Sequence, residues 1–93
     1  MAKFLMLGKY SAEGIKEASP DHTKIIVGLI EKCGGKIDTI NALLGGYDLA
    51  LMGEFSGVEE ALKASLMVGK ATGISFSTYP AVAVEKFDRM FGG

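Results

Sequence analysis

A chain of 93 residues is one domain, spanning 1–93, with room for only a modest core. Its hydrophobic fraction of 48% is high for that size and points to apolar area buried between copies. The formal charge of −1, from 10 Lys plus Arg against 11 Asp plus Glu with Arg89 the single arginine, excludes an electrostatic grip on a nucleic-acid backbone; the lone Cys33 excludes a disulfide framework or a multi-cysteine metal site.

Lys3–Tyr10 (KFLMLGKY) reads as a strand, with Phe4, Met6 and Tyr10 on one side and Leu5 and Leu7 on the other, so both of its faces are covered. Ser11 offers a cap for a short helical turn from Gly14 to Ala18. Ser19-Pro20 opens the first long helix, Ser as cap and Pro at the first helical position, where its missing N–H costs nothing. Ile25, Ile26, Leu29, Ile30 and Cys33 form its apolar stripe, and Gly34-Gly35 ends it.

Two strands follow, Ile37–Leu44 and Tyr47–Phe55, joined by Gly45-Gly46 as a two-residue hairpin corner. Ser56 and Glu59 have capping-box spacing and open a second long helix, whose expected inner face is Val58, Ala61, Leu62, Ser65, Leu66 and Gly69. Gly73 ends that helix, and Ile74–Tyr79 alternates as a last strand stopped by Pro80. Val84 to Phe91 is a short amphipathic tail anchored by Val84, Phe87 and Met90 or Phe91.

The order β-α-β-β-α-β predicts an α+β, ferredoxin-like fold: a four-stranded antiparallel sheet, two main helices on one face, and a short C-terminal helical segment. With a two-residue corner, Leu44 faces Tyr47, Leu43 Asp48, Ala42 Leu49, Asn41 Ala50, Ile40 Leu51 and Thr39 Met52. Residues opposite one another share a face. Leu44, Ala42, Ile40, Tyr47, Leu49 and Leu51 should therefore receive the helices. Leu43, Asn41, Thr39, Ile37, Asp48, Ala50, Met52 and Glu54 should lie on the other face, joined by one apolar set from the first strand.

Left bare, that second face is a large apolar patch. At roughly 25 cal/mol per Å² of apolar area, covering it stabilises an interface by several kcal/mol. A second copy of the chain is the expected cover, with Asp48, Asn41 and Thr39 lining a partly enclosed space between the sheets.

The run Phe4-Leu5-Met6-Leu7-Gly8-Lys9-Tyr10-Ser11, followed by Gly14-Ile15-Lys16-Glu17, resembles the opening of the GYD-domain family. The family's triplet stands here as Gly46-Tyr47-Asp48, and Thr72-Gly73-Ile74 with Ser77-Thr78 resembles its later part. The resemblance covers nearly the whole chain. It implies a fold similar to the dimeric α/β-barrel proteins, in which two ferredoxin-like sheets pack face to face. It carries no established catalytic set.

Asp48 is the most interesting carboxylate: it acts as an acid or base if its half-buried setting perturbs it, or it bonds backbone N–H groups at the hairpin, the preferred reading. His22, the only histidine, falls in the first turn of the first helix beside Asp21, a place that suits a neutral base or a single metal ligand; a solvent-facing position is the commoner outcome, and no partner His or Cys supports a metal. Tyr10 and Tyr47 stand at strand ends, where ring packing is the default and ligand hydrogen bonding the alternative. Cys33 reads as a small hydrophobe.

RNA recognition lacks stacking aromatics on the third strand, and Gly34-Gly35-Lys36 lacks phosphate-loop spacing. No cofactor and no metal are expected. The reading is a homo-oligomer, cytoplasmic, with no nucleic-acid or membrane partner, that binds a small apolar or aromatic molecule through Asn41, Asp48, Met52, Thr39 and Tyr10. The alternatives are a cofactor-independent enzyme of the dimeric-barrel type (a monooxygenase or isomerase) using Asp48, His22 and Tyr10, and a purely structural assembly module.

Overall fold

The computed structural model describes residues 1–92. Four strands, β1 (Ala2–Tyr10), β2 (Lys36–Ala42), β3 (Leu49–Phe55) and β4 (Ile74–Ala81), form one antiparallel sheet in the order β2-β3-β1-β4. Helices α1 (Pro20–Lys32) and α2 (Val58–Thr72) cover one face, and a third helix, α3 (Val84–Met90), follows β4. This is the expected α+β ferredoxin-like arrangement with its C-terminal helical segment.

Local chemistry accounts for most of the boundaries. Ser11 Oγ accepts the Gly14 N–H at 2.8 Å and starts a 3-10 turn over Gly14–Glu17. Ser19 Oγ accepts the His22 N–H at 3.1 Å, with Pro20 at the first helical position of α1. At the other end Gly34 takes the left-handed conformation, φ +79°, while the Gly34 and Gly35 amides return to the carbonyls of Glu31 and Ile30. Gly35 also lies against the Phe55 ring; a Cβ there would stand 2.5 Å from it.

The capping box expected at Ser56 and Glu59 does not form. Gly57 is the N-cap, its carbonyl accepting the Ala61 N–H at 3.2 Å, so Ser56 stands one residue outside the helix. Strand β4 runs through Pro80 to Ala81 instead of stopping before it. It is an edge strand, and an edge tolerates proline because one side has no neighbour to lose a bond.

The core is Phe4 and Met6 from β1, Leu51 and Phe55 from β3, Ile74 from β4, Ile26 and Ile30 from α1, and Ala61, Ala64 and Val68 from α2. Phe4 and Phe55 meet edge to face, centroids 5.8 Å apart. Two alanines in the contact stripe of α2 let that helix lie close to the sheet. The inner face of α2 is therefore Ala61, Ala64, Val68 and Thr72, and the expected Val58, Leu62 and Leu66 are exposed. On α1 the buried line is His22, Ile26 and Ile30, and Ile25 turns outward.

The hairpin keeps the expected register between Thr39↔Met52 and Ala42↔Leu49 and departs from it at both ends. A bulge between Ile37 and Thr39 leaves Asp38 as the extra residue and pairs Ile37 with Gly53. Ile37 thereby moves from the helix-free face to the helix side, where it packs, half-buried, against the core. The turn is longer than two residues: β2 ends at Ala42 and β3 begins at Leu49, and Leu43 N–H reaches the Asp48 carbonyl at 2.8 Å. Leu44, expected under the helices, is fully exposed, and Ala42 is exposed as well.

Truncating Phe55, which fills the junction of β3, Phe4 and Gly35, tests this core. Phe55→Ala is expected to lower the unfolding free energy by about 3–5 kcal/mol, read as an earlier midpoint in urea denaturation. A change below about 1 kcal/mol contradicts the packing described here.

Candidate functional site

Neighbouring positions on antiparallel strands share a face, so the register defines the helix-free side directly. It carries Lys3, Leu5, Leu7 and Lys9 from β1, Ala50, Met52 and Glu54 from β3, Thr39 and Asn41 from β2, and Ser75, Ser77 and Tyr79 from β4. The middle is apolar: Leu5, Leu7, Ala50 and Met52 are half-buried, and the Tyr79 ring is exposed beside Leu5. One end is charged, with Lys3 Nζ 3.8 Å from the carboxylate of the bulge residue Asp38 and Glu54 between Lys3 and Lys36 in the register.

The loop between β2 and β3 closes the other end. Residues Gly46, Tyr47 and Asp48 each hold a different part of β1 or β4. The Gly46 carbonyl accepts from Lys9 Nζ at 3.2 Å. Tyr47 was expected under the helices but crosses to the helix-free side, where its hydroxyl stands 3.4 Å from Ser77 Oγ on β4. Ser77 pairs with Leu7, so the Tyr47 side chain spans the Leu7 end of the apolar centre. Asp48 is gripped twice: its N–H donates to the Gly8 carbonyl at 2.8 Å, and its Oδ2 accepts the Tyr10 N–H at 2.8 Å.

Tyr10 and His22 lie on the other side of the sheet. Tyr10 pairs with buried Ile74, and its ring stacks on the His22 imidazole, centroids 5.8 Å apart and 30° between planes. Instead of facing solvent, His22 is only 6% exposed, and its Nδ1 has no hydrogen-bond partner. The period that buries it was present in the sequence: His22, Ile26 and Ile30 repeat at i, i+4, i+8. Burial, with a smaller push from the Asp48 charge, raises the Tyr10 phenol above its ordinary value of 10.0.

The nominated residues thus fall into two groups. Thr39, Asn41 and Met52 share the helix-free face, Thr39 directly opposite Met52. His22, Tyr10 and Asp48 meet around Tyr10, with the Asp48 carboxylate engaged by a backbone amide and the imidazole covered by the phenol ring. Cys33 is half-buried with Sγ 3.5 Å from Met67 Sδ, in contact between α1 and α2. Among the described residues no group of three or more His, Cys, Asp or Glu could hold a metal ion, and no helix is long and apolar enough to cross a membrane.

Two outcomes test the Asp48 clamp. Asp48→Ala leaves the Tyr10 N–H without its acceptor and is expected to cost about 1–3 kcal/mol in denaturation, with Asp48→Asn, which keeps an acceptor oxygen, milder. Removing the carboxylate charge should also lower the Tyr10 phenol, read by ultraviolet titration, only part of the way to its ordinary value, because burial is the larger cause. A phenol raised in the folded state contributes stability that is fully present below the unfolded value and lost as pH rises through the folded one, so the alkaline loss should begin near pH 10. An unmoved phenol in Asp48→Asn contradicts this electrostatic link.

No curated protein matches the chain. A family model does: the GYD domain, over residues 4–91. The matched span runs from Phe4 in β1 to Phe91 just past α3 and includes the Gly46-Tyr47-Asp48 clamp. The chain belongs to the GYD-domain family.

Proposed function

We propose that the chain is a homo-oligomeric binding module: the helix-free faces of two copies pack together and enclose a chamber for a small apolar or aromatic molecule. The carrying observation is the make-up of that face. Leu5, Leu7, Ala50, Met52 and the Tyr47 ring form an apolar centre between a charged end at Lys3, Asp38 and Glu54 and the polar Lys9, Ser75 and Ser77. An apolar centre with a polar rim is the anatomy of a protein interface.

Thr39 and Asn41 supply the few polar groups that orient a ligand in an otherwise apolar site. Asp48 contributes by holding the loop that carries Tyr47 over the face. Tyr10 acts from behind, as the owner of the amide that Asp48 grips. Binding is favoured over catalysis because the acid–base candidates are already engaged, the His22 imidazole with the Tyr10 ring and the Asp48 carboxylate with the Tyr10 backbone amide. A reducing, cytoplasmic setting fits Cys33, which packs as a thiol against Met67.

Titration with an anilinonaphthalene sulfonate fluorophore tests the chamber. The probe should bind saturably, and Met52→Trp, which fills the proposed space, should weaken it at least about tenfold. Ile25→Ser, exposed on the helix side and away from any groove, should leave binding unchanged. Binding that ignores Met52→Trp, or that follows Ile25→Ser, overturns the assignment.

A further inference from the structure

On the helix side a groove of about 620 Å³ runs between α2 and β4. Its α2 wall is Val58, Leu62 and Leu66, one exposed stripe at i, i+4, i+8; Phe76 and Pro80 form the β4 side. Ser65 Oγ and Thr78 Oγ1, 2.8 Å apart, bond each other across it and so leave the floor largely apolar. Lys70 is the one charged side chain among its lining residues.

The same chain carries a second unmatched apolar surface. Helix α3 has no buried residue, and Val84, Phe87, Met90 and the following Phe91 are all exposed. Phe87 and Phe91 already lie together, centroids 5.0 Å apart, as one aromatic ridge. Only Val82 and Ala83 separate β4 from α3.

We infer that the groove between α2 and β4 receives helix α3 of a second copy of this chain, in a reciprocal exchange. Three arguments select that occupant. The first is area. Three large apolar side chains on the groove wall and four on the α3 segment are each more than half exposed. At on the order of 100 Å² each, about half of what a large side chain can bury, an exchange counted on both copies reaches the roughly 1,200–2,000 Å² of a stable interface.

The second is shape. A ridge at i, i+3, i+7 entering an apolar groove is a standard helix-in-groove contact, and a two-fold exchange closes without leaving an open end. The third is charge. Glu85 and Asp88, neighbours at i, i+3 on α3, match Lys70 at the groove, and the four charges of α3 (Glu85, Lys86, Asp88, Arg89) cancel, so the helix has no net positive charge to draw it to anionic membranes.

This surface lies on the opposite side of the sheet from the proposed chamber, so the two contacts are separable. In Leu7→Lys, which disrupts the helix-free face, sedimentation equilibrium should still show self-association. Adding Phe87→Glu on α3, or Leu66→Glu in the groove, should weaken that remaining association at least about tenfold, the two changes acting alike. Circular dichroism should stay native, since both positions are exposed in the single chain.

A Leu7→Lys chain that sediments as a single copy overturns the exchange while leaving the chamber reading intact. So does association that ignores Phe87→Glu and Leu66→Glu. Phe87-dependent co-sedimentation with neutral phosphatidylcholine vesicles also overturns it, by assigning α3 to a membrane surface.

Discussion

A sheet has two faces, and this one has helices for only one of them. Strand β1 lies in the interior of the sheet and carries large apolar side chains on both sides: Phe4 and Met6 toward the helices, Leu5 and Leu7 away from them. Helices α1 and α2 bury the first pair completely. The second pair is left half-buried. The hydrophobic effect acts on both sides alike, so the Leu5 and Leu7 side favours a cover, the role proposed here for a second copy.

The clamp at Gly46-Tyr47-Asp48 serves that same face. A loop leaving an apolar sheet could swing out into water; here a carbonyl, a phenol and a carboxylate tie it to Lys9, Ser77 and Tyr10. The Lys9 and Asp48 ties each involve a charged group, and the Asp48 one is the shorter, 2.8 Å against 3.2 Å. Its effect is positional: with Asp48 fixed at the end of β1, Tyr47 is carried over Leu7 and adds an aromatic ring to the helix-free surface. In this chain the Gly46-Tyr47-Asp48 run holds the loop in place.

Elements set by local chemistry were legible in the sequence. Ser19-Pro20, Gly34-Gly35 and Gly73 mark helix ends through caps and left-handed backbone, and the alternation in β1 assigns its two faces. The pairing from Thr39 to Ala42 was also readable, since opposite residues must share a face. Features decided by tertiary contacts were not. The bulge that turns Ile37 inward has no local marker, and Asp38 finds Lys3 only once β1 is in place. Tyr47 changes sides because the Gly-Gly corner opens into a longer loop tied to β1. A polar residue in a first turn suggests solvent, yet the spacing of His22 to Ile26 and Ile30 matches the buried stripe it joins.

The state of Met52 reports most directly on whether water reaches the helix-free face. It is half-buried in one chain, at the apolar centre, whereas Met1 lies outside that centre and is two-thirds exposed. Peroxide oxidation of the unmodified protein, followed by mass spectrometry across a dilution series, compares the two. If a second copy covers the face, oxidation of Met52 slows relative to Met1 as concentration rises into the micromolar range. A Met52 rate that stays constant relative to Met1 at every concentration contradicts the account.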